Sequence, residues 1–310
     1  MNKDCNIQIM KIKIGSTGTG STDGLASQLL CKLNAIIFAG YSGYQYVDIP
    51  FDDYLIKGNS GHRYGEYSTA LQNLAFNFPG FEKIDPLISV YERLKVIDIR
   101  DILDKVEGHE AMRNYLNSQI ISMKNEFDTF VLNGFANLFS DKTYLYNKIS
   151  RGANLVIDPI ILNKNLVLSD KIKVAVHIRR GDILDHEINY NRIIPLEYFN
   201  NVVSSIKQVL EQSNIDYFLS LHIEGSSEGF VHNHVKFIDD NPIASFIDLF
   251  TADIVVASKS SHSSVPAMIS GKIMIYPDDT WFAPLPGWIS AGKDGNFDET
   301  KLKEQLKIYS

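Results

Sequence analysis

The sequence predicts an α/β protein built from parallel sheets with crossover helices, with room for two domains, and three stretches predict it. The first is the run from Ile7 to Ile14, apolar at alternate positions in its second half. It passes through a glycine-punctuated turn (Gly15, Gly18, Gly20, Gly24) into an apolar helix from Leu25 to Ala39. Strand, glycine-rich turn and helix is a phosphate-loop layout, since the free N–H groups of a helix start attract anions. Here the glycine spacing is not that of a dinucleotide fold and no Lys-Ser/Thr pair follows, so a loop without a ligand fits the stretch equally. The second is Lys173 to Asp182. The apolar positions Val174, Ala175, Val176 and Ile178 make a buried strand that stops abruptly at Arg179-Arg180-Gly181-Asp182. The third is the alternation of strand and helix patterns that follows, β-α-β-β-α-β-α-β, which implies a parallel sheet.

The elements follow in order. From Tyr41 to Arg63 the chain is aromatic and glycine-punctuated, and its tyrosines serve either as stacking surfaces for sugar rings or as loop packing. Glu66 to Phe78 reads as a helix stopped by Pro79-Gly80. Leu94 to Arg100 reads as a short strand, Asp101 to Phe127 as helical with an interruption near Gly108, and Phe130 to Gly134 as a strand closing the first sheet. The polar stretch from Asp141 to Asp170 is where the chain is expected to cross between two domains, 1–160 and 161–310. Beyond it come a helix from Pro195 to about Gln212, a strand from Tyr217 to Ile223, and a strand at Val235. A helix from Pro242 to Thr251 and a strand from Asp253 to Ser258 follow. A last helix begins near Ser263 to Val265 and leads to a strand from Lys272 to Tyr276.

Composition narrows the function. Hydrophobic residues make up 45% and charged residues 22% of the 310, which suits a globular protein with a sizeable core. The net charge of −7 argues against a general nucleic-acid binder. An anionic ligand must therefore be held by a local basic cluster. Cys5 and Cys31 form no disulfide framework or zinc site of their own and are expected as reduced thiols. No run of 18 apolar residues and no leader-like apolar core is present, which leads to the expectation of a soluble, cytoplasmic protein without an integral membrane segment.

Two blocks carry the chemistry. Arg179 and Arg180 offer only N–H donors at a strand tip, which suits a diphosphate better than a neutral ligand, although an Arg–Asp surface turn has the same residues. Ser258, Ser260, Ser261 and Ser263 lie where a second strand meets a helix start, with Lys259 beside them. They form either an anion cradle or an ordinary N-cap with loop serines. Four groups that could take a proton follow the arginines closely: Asp182, Asp185, His186 and Glu187.

His177-Ile-Arg179-Arg180-Gly-Asp182 resembles the His-x-Arg-Arg-x-Asp motif of the fucosyltransferase superfamily that makes α1,2-, α1,6- and O-fucosyl linkages. Ser258 to Ser263 resembles that superfamily's Ser-x-Ser-Ser-Phe-Ser segment, with His262 at the aromatic position. The two blocks stand about 80 residues apart in the same order. Gly24-Leu-Ala-Ser-Gln28-Leu resembles the family's opening Gly-Leu-Gly-Asn-Gln-Leu, with Ala26 and Ser27 replacing Gly and Asn. The resemblance covers residues 173–277 well and 15–40 weakly.

The resemblance implies a GT-B fold, with two Rossmann-like domains facing each other across a cleft. It also implies inverting transfer of fucose from GDP-fucose to a glycan or glycoprotein hydroxyl, with no metal or other cofactor. By position, Arg179 would stabilise the departing β-phosphate and Arg180 would touch the phosphates or brace the loop. Ser258, Ser260, Ser261, Ser263, Gly24 and Gln28 would belong to the donor site, and His222 would lie near the base or ribose. Glu187, eight residues after Arg179, has the offset of the base in α1,6-fucosyltransferases, and Asp182 would brace an arginine or share that role. His177 is expected as an inward-pointing residue. No Asp-x-Asp triplet, the metal bridge of GT-A enzymes, occurs in the chain, which is consistent with arginines in place of a metal. Two alternatives stay open: the same fold with another donor, such as UDP-xylose or another UDP- or GDP-sugar, and a nucleotide-sugar-binding protein without turnover.

Overall fold

The computed structural model describes residues 11–16, 25–49, 76–77, 81–83, 93–103, 105–133, 156–157, 170–180, 192–223, 226–233, 235–237, 242–280 and 284–307. In chain order the strands are β1 (Lys13–Ser16), β2 (Gln45–Asp48), β3 (Phe76–Asn77), β4 (Glu82–Lys83), β5 (Leu94–Asp98), β6 (Thr129–Asn133) and β7 (Val156–Ile157). They continue with β8 (Ile172–Ile178), β9 (Tyr217–Ile223), β10 (Val235–Phe237), β11 (Ile254–Val256), β12 (Ile273–Pro277) and β13 (Ile289–Ala291). The helices are α1 (Leu25–Ser42), α2 (Arg100–Leu103), α3 (His109–Met123), α4 (Leu196–Gln212), α5 (Pro242–Thr251), α6 (Ser261–Ser270) and α7 (Glu299–Leu306).

Two parallel sheets result. The first has the order β4-β2-β1-β6-β5 and the second β10-β9-β8-β11-β12-β13, and every pairing in both is parallel. Numbered from β8, the second sheet runs 3-2-1-4-5-6, the doubly wound order of dinucleotide folds.

Alternation along the central strands sorts the second sheet's two faces. Val174, Val176 and Ile178 of β8 and Leu219, Leu221 and Ile223 of β9 join a cluster with α4 and α7. The helix α4 presents Tyr198, Phe199, Val202, Val203, Ile206, Val209 and Leu210, an apolar stripe at helical spacing. The intervening residues turn to the other face, where Ala175 packs with Leu249 of α5 and Ala267 of α6.

The same side of the molecule joins the two sheets. Ile243, Phe246 and Ile247 of α5 and Val265 and Met268 of α6 share one apolar cluster with Leu29, Leu33 and Phe38 of α1 and with Leu116 and Ile120 of α3. The helix α1 packs along α6.

The structure departs from the sequence reading at several elements. Phe76 and Asn77, read as the end of a helix, pair antiparallel with Ile157 and Val156 instead. The strand β6 does not close the first sheet; it lies between β1 and β5 and leaves β5 at the edge. The loop-like Tyr41 to Arg63 stretch contains β2, in which Tyr46 is buried against Phe81. Tyr44 bonds Asn117, and Phe51, Tyr54 and Tyr64 lie outside the described residues. The elements β13 and α7 were not anticipated, and most of the expected crossing, Asp141 to Asp170, lies outside the described residues.

Candidate active site

In an open parallel sheet, ligands bind beyond the carboxyl ends of the strands where the order reverses. In the second sheet that point lies between β8 and β11. The pairing Val176↔Val256 sets the ends level, so Arg179 emerges beside Lys259 and Ser260. Both motif blocks are therefore delivered to one crevice, although 80 residues separate Lys173 from Asp253.

The serines build the turn. Ser260 is the N-cap of α6, accepting from the His262 N–H at 3.2 Å, so the helix starts at Ser261 rather than near Ser263. Ser263, expected on the diphosphate, is fully buried and donates to the carbonyls of Ser258 and Ser260 at 3.3 and 3.1 Å. Ser264 donates to the Ser260 carbonyl at 3.2 Å. The Ser258 hydroxyl meets His177 Nδ1 at 2.8 Å and joins the two strand ends. Ser261 reaches the other sheet's helix, its Oγ lying 2.8 Å from Ser27 Oγ of α1. Two helix N-termini, each carrying partial positive charge, thus meet beyond the carboxyl ends of β8 and β11. Gln28 is buried one position along α1, and Gly24 lies outside the described residues.

The arginines divide the work. Arg179 is half-buried at the mouth. Arg180 donates to the carbonyls of Arg179 and Ile194 at 3.0 and 2.8 Å, tying the end of β8 to the residues that precede α4. Burial also lowers the Arg180 pKa from its usual value. Lys259 is held by Asp279 at 2.7 Å. The expected proton acceptors Asp182, Asp185, His186 and Glu187 lie outside the described residues.

Behind the crevice is a polar network that sequence reasoning missed. Asp248 of α5, fully buried, accepts from Lys173 Nζ at 2.8 Å and Ser220 Oγ at 2.6 Å, and meets His222 Nε2 at 2.8 Å. Lys173 Nζ also donates to Thr251 at 2.7 Å. His222 Nδ1 lies 3.0 Å from Ser245 Oγ, which lies 3.1 Å from His262 Nε2. The His262 ring stands 5.4 Å from that of His177. His222 was expected beside the base or ribose. It is fully buried with both ring nitrogens on protein partners, so it stands behind the site rather than lining it.

Burial works to raise the Asp248 pKa, but the bond and charge of His222 and then Lys173 outweigh it, and the carboxyl sits below its usual range. His177 is held neutral: burial, then the charges of His262, Arg179 and His222, push it well below the ordinary imidazole value. A sequence signal for this network existed. Ser245, Asp248 and Thr251 recur at every third position of an otherwise apolar helix, which puts three polar groups on its buried face.

Solved structures are similar to this chain in fold. The apo form of POFUT1, an O-fucosyltransferase, matches over 86% of this chain and 98% of its own at a TM-score of 0.53 and 10% identity. POFUT1 in complex with GDP-fucose matches over 85% of this chain and 94% of its own, at a TM-score of 0.52 and 10% identity. The chain has the GT-B fold. The backbone meets the resemblance that the two motif blocks carry. No protein-family model matches the chain, and no curated protein matches it in sequence. In GT-B terms the second sheet is the one whose switch point holds the motif residues. Among the described residues, no helix is long and apolar enough to cross a membrane.

Proposed function

We propose that this chain is a GT-B glycosyltransferase that takes fucose from GDP-fucose to a glycan hydroxyl with inversion. The observation that carries the reading is the convergence of Arg179 with the N-termini of α6 and α1 at the switch point of a 3-2-1-4-5-6 sheet. Such a site holds a diphosphate by its charge. It stabilises the negative charge that builds on the β-phosphate as the sugar leaves, the main work a protein performs in this reaction. The arginine and the helix starts take the place of a metal. Arg180 bonds the carbonyls of Arg179 and Ile194, on either side of the segment that contains Asp182 and Glu187, and one of these carboxylates, Glu187 first, takes the proton of the attacking hydroxyl. The fucosyl donor is supported by the His177-to-Asp182 motif and by the likeness of the fold to POFUT1, which has been solved with GDP-fucose.

Thermal stabilisation with EDTA present, comparing GDP-fucose, GDP, GDP-mannose, UDP, UDP-xylose and UDP-glucose, tests the donor directly. The expected result is a shift confined to guanine nucleotides. A shift with UDP-sugars alone overturns the fucose assignment and keeps the transferase; no shift with any removes the donor site. Arg179→Ala is expected to lower the transfer rate by about 10²- to 10³-fold, the scale of losing one anion donor. A binder without turnover has no rate to lose.

A further inference from the structure

The second sheet opens at its switch point. The ladder between β8 and β11 ends at the pair Val176↔Val256. Beyond that pair β8 stays with β9, through His177↔His222 and Ile178↔Ile223. The chain leaving β11 stays instead with β12, the Ala257 N–H donating to the Ile275 carbonyl at 2.9 Å. The two backbones part there, and the crevice begins. Just past the last pair a side-chain bond crosses the gap, between Ser258 Oγ and His177 Nδ1 at 2.8 Å. Both residues are nearly out of water, at 1% and 7% exposure. A bond between buried groups is costly to lose, because the partner left behind stays desolvated.

Each end of this bond is fastened to one side of the crevice. His177 precedes Arg179 by two residues at the tip of β8. Its ring lies 5.4 Å from that of His262 in the first turn of α6. Burial, then the charges of His262, Arg179 and His222, keep that ring neutral, so it brings no second cation against Arg179. On the other side, Ser258 precedes Ser260, the N-cap of α6, by two residues. The Ser258 carbonyl accepts from the Ser260 N–H at 2.8 Å and from Ser263 Oγ at 3.3 Å, so the whole turn follows Ser258. The gap between the Arg179 backbone and the start of α6 is thus set by the ladder below it and by the His177–Ser258 bond. A diphosphate held from both sides needs that gap fixed, since a misplacement of about 1 Å in such a site costs about 10²-fold in rate.

Resting on the reading of the crevice as a nucleotide-sugar site, we propose that His177 and Ser258 are a positioning pair, whose hydrogen bond fixes the spacing of Arg179 and the N-terminus of α6 so that both engage one diphosphate. Neither side chain has to touch the ligand for this.

The test is titration calorimetry with GDP and GMP, or with the di- and monophosphate of whichever nucleoside stabilises the protein, the weaker ligand being measured by displacement. The ratio of the two affinities isolates what the β-phosphate contributes. Ser258→Ala and His177→Gln break the bond from opposite ends, so either reads it if the other unfolds. Each is expected to lower the ratio about 10-fold, the scale of loosening one hydrogen bond to a charged group. His177→Asn should keep the ratio, because an asparagine amide puts a polar atom where Nδ1 stands and a glutamine amide puts one where Nε2 stands. In an Arg179→Ala background the loss from Ser258→Ala should shrink, since the pair acts through that arginine. A ratio unchanged in Ser258→Ala and His177→Gln, or an equal loss for both nucleotides, overturns the proposal and leaves the donor site standing. A loss in His177→Asn as large as in His177→Gln overturns it too. Failure of every nucleotide to bind the native protein overturns the donor-site reading, and the proposal with it.

Discussion

Lys173, Asp248 and His222 meet in one buried group. Removing one partner leaves the others desolvated and unpaired, so Asp248→Ala is expected to destabilise the fold by about 3–5 kcal/mol, read from urea unfolding. The acid dependence has two parts of one sign. Asp248 titrates below its usual range, so its contribution is complete above about pH 4 and is lost as pH falls through the lowered folded value. His177 refuses a proton that the unfolded chain accepts, so stability falls as pH drops below about 6.5. Between about pH 7.5 and about pH 5.5 only the second effect operates. The urea midpoint should fall across that window, and His177→Asn should show a smaller fall; equal falls would refute the assignment. Arg179 was legible as a strand-tip cation because an apolar run ends at it. Asp248 was not read, although its helix repeats polar residues at every third position, because its partners come from β8 and β9, between 26 and 75 residues away.

Elements were most legible where one face is apolar. The seven-residue stripe of α4 and the strand β9 have their expected ends, since burial on one side imposes a strict period. The helix α7 escaped notice because only Leu302 and Leu306 are buried on it, a narrow stripe one turn apart. The edge strand β13 is three residues long, too short for alternation to show. A turn near it has a sharper requirement. Gly295 has φ of +84° and a Cβ there would lie 2.5 Å from the Tyr198 carbonyl oxygen of α4. Gly295→Ala combines left-handed strain with a backbone collision, and a loss of about 1–3 kcal/mol is expected by thermal or urea unfolding. An unchanged midpoint would show that the turn can move away from α4.

At the scale of the molecule, the two sheets are not independent bodies joined by a tether. The cluster that α1, α3, α5 and α6 share makes the switch-point helix part of the first sheet's packing. Unfolding followed by far-ultraviolet circular dichroism and by tryptophan fluorescence, to which Trp288 against the cluster contributes, should therefore give coincident curves. Ile247→Ala should shift both together by about 2–5 kcal/mol. Two separated transitions would mean that the shared cluster contributes little.

The sequence by itself determined the parallel α/β class and the two strand ends that carry Arg179 and the serine turn. Periodicity and abrupt stops are local properties, and they survive without knowledge of neighbours. Only the tertiary structure decided what stands opposite what. It placed β6 inside its sheet, brought the N-terminus of α1 against that of α6, and turned the hydroxyls of Ser260, Ser263 and Ser264 onto the backbone. It also drew Lys173, His222, Ser245, Asp248 and His262 into one chain of hydrogen bonds. These are contacts between residues as many as 234 positions apart. They are set by strand order and by which face a side chain takes, neither of which is written in any single stretch.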